Sequence, residues 1–240
     1  MDLSAGDLAV LATVVFAGGL AQGTIGMGVG ILVAPVLSIV EPSAVPATII
    51  FLALPLTVIM SIRERAHIDV RGFWLMTIGR VPGVVGGVLL VVALSGSAIT
   101  IMSGTVILVA VALSVVDAAP RPTDANVFIA GSASGLMGTA AGVGGPPLGL
   151  VYQTREPAVV RSTLAISFMV GTVVSLVGLG IAGELAWWKL EWAGLLLVPL
   201  LAGLGTSFVL TARLHTRWFR PTVLAFAAVA GFAAVIRGLS

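Results

Sequence analysis

The chain contains no cysteine and a single tyrosine, and only 9% of its 240 residues are charged. The missing cysteine excludes disulfides, thiol catalysis and cysteine-ligated metals, and leaves the redox compartment unreadable. The missing charge says more. A soluble domain carries about 25% charged residues, whereas here 58% are hydrophobic and mean hydropathy is +1.16. Such a composition belongs to a polytopic membrane protein with little mass outside the bilayer. A pI near 9.9 would suit nucleic acid, but the net charge is only +2. The basic residues sit in short loops rather than in a stripe, so nucleic acid is excluded as a partner. The N-terminus, MDLSAGDLAV, is acidic where a signal peptide would be basic, and reads as the lead into a first span.

Acids and histidines are also missing from the depth of the apolar segments. Glu41, Asp69, Glu184 and Glu191 stand at segment edges, and His67 and His215 in loops. No carboxylate proton relay is therefore visible. A hydrolase would need a base beside its nucleophile, and none is available, so the chain reads as a non-enzyme with no cofactor and no metal site. Its glycines match neither a dinucleotide fold nor a phosphate loop.

What the chain does have is a repeat. Residues 22–35 read QGTIGMGVGILVAP and residues 134–147 read SGLMGTAAGVGGPP. A shift of 112 positions pairs Val15 with Val127, Phe16 with Phe128, Gly19 with Gly131 and Ala21 with Ala133. It also pairs Gly23 with Gly135, Gly26 with Gly138, Gly30 with Gly142 and Pro35 with Pro147. Glycine costs about 1 kcal/mol and proline about 3 kcal/mol in a helix interior. Irregular backbone survives in hydrocarbon only when buried in protein or lining a wet cavity. Matching breaks in two halves point to a transporter binding site at mid-membrane.

Turns and charges divide the chain into ten apolar segments, at 8–23, 26–40, 45–62, 72–94, 97–116, 125–138, 142–154, 157–181, 187–211 and 218–237. A span needs about 20 apolar residues. The first two segments of each half are short, and fit either two tilted helices or one re-entrant hairpin. Residues 1–117 form a first repeat, 118–124 a cytoplasmic linker and 125–240 a second repeat. Either way each half crosses an odd number of times, which inverts the second. In that scheme Arg63, Arg65, Arg71, Arg121, Arg155, Arg161, Arg213, Arg217 and Arg220 share the cytoplasmic side, with only Lys189 and Arg237 opposite, as the positive-inside rule requires. Both termini are expected outside the cytoplasm, in a multi-pass inner (plasma) membrane protein. The predicted fold class is thus all-α, with two inverted-topology repeats whose Gly/Pro-broken helices meet at mid-membrane. Trp187, Trp188 and Trp192 suit the outer interface, and Trp74 and Trp218 the inner one.

Helices restarting after the breaks present free N–H groups and the positive ends of their dipoles, which suit an anion. The candidate substrate-binding residues are Gln22, Gly23, Thr24, Gly26 and Gly30 in the first half. Ser134, Gly138, Thr139, Gly142, Gly144 and Gly145 are those of the second. Arg80, in the sequence GRVPG, lies about eight residues into its span, hence about 12 Å deep. An arginine there must face protein, water or substrate, and its guanidinium suits a sulfonate, carboxylate or phosphate. Its repeat counterpart, near Leu195 to Leu197, is apolar. Four-residue glycine spacing also suits plain helix packing in lipid. Thr48, Ser162 and Thr163 either join the site or bond nearby backbone.

The duplicated glycine blocks with following prolines resemble the sulfite exporter TauE/SafE family of membrane permeases. So do the Arg63-to-Arg71 loop, the Pro82-Gly83…Gly86-Gly87 patch and Arg161-Ser162-Thr163 at a helix start. The resemblance covers essentially the whole chain. It implies transport of a small anion, typically sulfite or an organosulfonate, with export the usual direction. The expected partners are that anion and membrane lipid, with a homo-oligomer left open. An anion channel with the same site, and a membrane scaffold without a substrate, are the alternatives.

Overall fold

The computed structural model describes residues 4–26, 28–116, 120–210 and 216–240, apart from the side chains at 25, 210 and 216–218. The expectations placed on Arg213, His215, Arg217 and Trp218, and on the start of the linker, lie outside the described residues. The described residues are helical throughout, without strands. The first half holds α1 (Ala5–Ile25), α2 (Val29–Val40), α3 (Ala47–Arg63), α4 (Val70–Ala93) and α5 (Ser97–Val115). The second holds α6 (Asp124–Ala141), α7 (Gly145–Tyr152), α8 (Pro157–Ile181), α9 (Trp187–Leu210) and α10 (Thr216–Leu239). Each apolar segment of the sequence becomes one helix. Six of them, α1, α4, α5, α8, α9 and α10, are long and apolar enough to cross a membrane. The outward faces are apolar too. On α4, Ile78, Val81, Val85 and Leu89 are exposed, while Met76, Gly79, Arg80, Gly83 and Gly87 are buried. That is the arrangement of a protein whose surroundings are hydrocarbon.

The first two helices of each half fold back on one another, and α1, expected to be short, is long enough to cross a membrane. α1 ends at Gly26, in the left-handed conformation at φ 76°, with its N–H on the Gln22 carbonyl. The chain then turns back, so that Gly18 of α1 faces Val29 and Val33 of α2. α6 ends the same way at Gly142, φ 74°, with its N–H on the Gly138 carbonyl, and Ser134 of α6 donates to the carbonyl of Gly144. A left-handed C-terminal residue is where glycine avoids the Cβ penalty. These two caps are 116 residues apart, not the 112 of the sequence shift. The second hairpin turns one helical turn later than the aligned glycines suggest.

The two hairpin tips meet. A Cβ on Gly30 would land on the carbonyl oxygen of Gly142, and Val143 lies against the same spot. Glycine clasps then join each hairpin to the opposite half. Gly83 of α4 packs onto the Ser132 carbonyl of α6, and Gly135 onto that of Arg80. In the other half Gly203 of α9 packs onto the Phe16 carbonyl of α1, and Gly19 onto that of Leu200. Leu200 thus stands against Gly19 of α1 as Arg80 stands against Gly135 of α6. α3 and α8 run antiparallel, as do α5 and α10. Ser61 of α3 reaches Met169 of α8, and Gly104 of α5 faces Gly231 of α10 while Ile101 faces Gly238.

Polar contacts pin the loops at both ends. Thr48 donates to the Lys189 carbonyl, Ser162 accepts from the N–H of His67, and Thr163 accepts from that of Asp69. These hydroxyls bond backbone and stand outside the cavity described below. Asp69 caps α4 by accepting the Gly72 N–H at 3.0 Å, and accepts the Tyr152 hydroxyl of α7 at 2.8 Å. Burial pushes its carboxyl up, but the Gly72 N–H, the Tyr152 hydroxyl and the nearby Arg155 charge together hold it below the usual range.

Two predictions follow from this packing. Gly30→Ala should force the hairpin tips apart and destabilise the fold by about 1–3 kcal/mol, the usual range for overpacking, seen as a lower melting temperature in detergent. An unshifted melt would mean that the tips are not in contact. A carboxyl held low stabilises the fold above its unfolded pKa of about 3.9 and loses that contribution as pH falls through its lower folded value. Asp69→Asn keeps a capping oxygen but removes the charge, so its melting temperature should fall less steeply than the wild type's below about pH 4.

Candidate functional site

Where the two breaks meet, a cavity of about 100 Å³ opens between α1, α2, α3, α4, α6, α7 and α8. Its wall contains Gly28, Val29, Gly30 and Ile31 from the start of α2, and Gly144, Gly145 and Pro146 from the start of α7. The first bond inside α2 runs from the Leu32 N–H to the Gly28 carbonyl. The N–H groups of Val29, Gly30 and Ile31 precede it, where helices leave donors unmatched. No side chain caps α2 or α7. Pro146 and Pro147 occupy first-turn positions of α7 where an N–H would lack a helical partner. Two positive helix ends thus border one small space.

Arg80 supplies the full charge. It is the eleventh residue of the 24 in α4, and only 6% of it is accessible. Its guanidinium donates to the Ser167 carbonyl of α8 at 2.9 Å and to the Ser134 hydroxyl of α6. Ser134 in turn donates its hydroxyl to the Gly144 carbonyl, so Arg80 also orients the second break. The Phe168 ring lies 5.7 Å from the guanidinium carbon. Among the described residues no carboxylate pairs with Arg80, and no Asp or Glu lines the cavity. A buried charge without a counter-ion costs several kcal/mol, which two neutral hydrogen bonds offset only in part.

The geometry depends on a glycine that sequence inspection passed over. A Cβ on Gly171 of α8 would collide with the Arg80 guanidinium. Gly171 therefore makes the slot through which Arg80 reaches the cavity. Thr57, Thr172 and Ser175 add hydroxyls to the wall, while Ile50, Ala53, Leu56 and Phe168 make its apolar side. These α3 and α8 residues carried no signal in one dimension, because serine, threonine and glycine are common on buried faces of membrane helices.

Of the residues singled out from sequence, Gln22, Gly26, Gly30, Arg80, Ser134, Gly138, Gly142, Gly144 and Gly145 line the cavity. Gly23, Thr24 and Thr139 do not. Gly23 packs against Ser207 of α9, Thr24 donates to the Leu20 carbonyl, and Thr139 shares a 2.8 Å hydrogen bond with Ser175. Gln22 turns its amide N–H to the Gly26 carbonyl at the first cap.

The cavity borders a second, larger space. It continues through Gln22, Gly26, Thr57 and Phe168 into a vestibule of about 510 Å³ that also holds Arg63, Arg155, Arg161 and Arg220. Toward the Lys189 end, Ile50, Val91 and Leu179 close together, with Leu176 and Leu185 packed on them. The Thr139–Ser175 bond lies beside this seal.

Residues 10–234 match the family model described as sulfite exporter TauE/SafE. The chain belongs to that family. A protein of Cupriavidus necator, described as a probable sulfite/organosulfonate exporter TauE, is 32% identical over 164 residues. That alignment spans 64% of each chain, just under two thirds of the relative's length. No solved structure matches.

Gly171→Ala should displace the Arg80 guanidinium and weaken sulfite-induced thermal stabilisation about as much as Arg80→Ala does. The pair should be strongly non-additive, because residues acting through one contact couple. Additive losses would show that Gly171 does not act through Arg80.

Proposed function

We propose that this chain is a membrane carrier for a small anion, exporting sulfite or an organosulfonate by alternating access. The observation that carries the reading is the buried Arg80, flanked by two helix N-termini, in a cavity whose wall has no acidic residue. Such a site lacks a negative charge, and an oxyanion supplies one with oxygens for several donors at once. Arg80 provides the charge, Ser134 holds its guanidinium in place, Gln22 offers its second amide N–H, and the N–H groups around Gly30 and Gly144 hold the remainder. The name of the Cupriavidus necator relative, with its sulfite and organosulfonate, supports the substrate class.

The reading includes an inverted repeat. The antiparallel runs of α3 with α8 and of α5 with α10 support it, as do glycine clasps that exchange when the halves are swapped. With the arginine-rich end in the cytoplasm, the vestibule faces the cell interior and the Ile50–Val91–Leu179 seal faces outward. A carrier would next close the vestibule and part that seal, moving the hairpins against α3 and α8. The packed Ile50–Val91–Leu179 cluster supports a carrier over a channel, which would need a path through it.

The test is thermal stabilisation of the purified chain by sulfite, sulfoacetate, other sulfonates, carboxylates and phosphate. A ligand at 100 times its dissociation constant stabilises by about 2.7 kcal/mol. Sulfur oxyanions should raise the melting temperature, and Arg80→Ala should abolish the shift while still folding. A shift that survives in Arg80→Ala would defeat the assignment of Arg80. A shift with carboxylates alone would replace the substrate class and keep the anion carrier.

A further inference from the structure

Four guanidiniums from four places in the chain surround the mouth of the vestibule. Arg63 ends α3, Arg155 sits in the turn between α7 and α8, Arg161 lies in the second turn of α8, and Arg220 lies in the first turns of α10. One carboxylate, Glu64, stands among them. It takes Arg161 at 3.2 Å and Arg63 at 3.8 Å. Arg155 and Arg220 are exposed and form no ion pair among the described residues. Arg220 spends one N–H on the Ser114 carbonyl, and Arg155 stands close enough to Asp69 to lower its pKa without pairing with it. The mouth is therefore positively charged well beyond what its own carboxylate offsets. Topology alone asks only that arginines lie on this side of the membrane. It does not ask that they converge from separate elements on one opening that leads to Arg80.

We propose that the vestibule is a second anion site, separate from the Arg80 cavity, in which Arg155 and Arg220 collect the oxyanion before it is stripped of water. It rests on the anion-carrier reading for its purpose, though not for its existence. The two sites differ in physics. Charge lining a cleft focuses field lines and raises local counter-ion concentration. Exposed charges are screened beyond about 10 Å at 0.1 M salt, so the outer site is weak and salt-sensitive. Arg80 is buried, and its site is tight and largely indifferent to salt.

The experiment is calorimetric titration of the full chain in detergent with sulfite, at about 20 mM and about 500 mM added salt. Wild type should give two components. Arg80→Ala should keep the weaker one. Arg155→Gln with Arg220→Gln should lose the weaker one and keep the tighter, and the matching pair of lysine substitutions should retain both. High salt should weaken the outer component at least about fivefold and the inner one less than about twofold. The proposal is overturned if Arg80→Ala binds no sulfite at low salt, or if its residual binding survives the double glutamine substitution. If the wild type instead shows only the vestibular component, the assignment of Arg80 fails and the vestibular site stands. Melting curves of each variant separate lost binding from lost folding.

Discussion

Each helix broken inside hydrocarbon leaves peptide groups that lipid cannot satisfy. This chain breaks twice, and the two breaks are placed against each other. Gly30 at the start of α2 touches Gly142 at the end of α6, so each hairpin tip is covered by the other. Everything else depends on that contact. It brings two helix N-termini to one cavity, fixes where the hairpins stop, and holds the irregular backbone away from lipid. Glycine at both positions is what lets the backbones come so close.

Around the tips, the glycine clasps give the molecule a near-equivalence of halves that its charges then break. The clasps Gly83–Gly135 and Gly19–Gly203 have the same form, yet one frames Arg80 and the other Leu200. A second arginine at Leu200 would double the buried charge with no carboxylate to meet it. One arginine, one glycine slot in α8 and one serine bridge instead make one clasp cationic and leave the other apolar.

Charge is graded along the route into the molecule. The vestibule carries exposed, hydrated guanidiniums, and the cavity a buried one with few partners. On the far side the wall changes to Ile50, Val91 and Leu179, which pack together.

The sequence by itself determined the helices. Apolar runs bounded by charges and turns specify membrane segments locally, so the helices appeared at the expected places, and the exclusion of deep acids was also readable residue by residue. Arg80 was conspicuous because a lone arginine in an apolar run has few explanations. Tertiary structure decided the register. Glycines recur every four residues at Gly19/Gly23, Gly26/Gly30, Gly131/Gly135 and Gly138/Gly142, so shifts of 112 and 116 both align glycine with glycine. Only the left-handed caps at Gly26 and Gly142 distinguish them. Tertiary structure also folded the first two helices of each half back on one another. It selected Gly171 from the many glycines, because its task is to leave space for a side chain 91 positions away. Periodicity within one helix is written in the sequence; which faces of different helices meet is not, because that depends on packing among segments far apart in the chain.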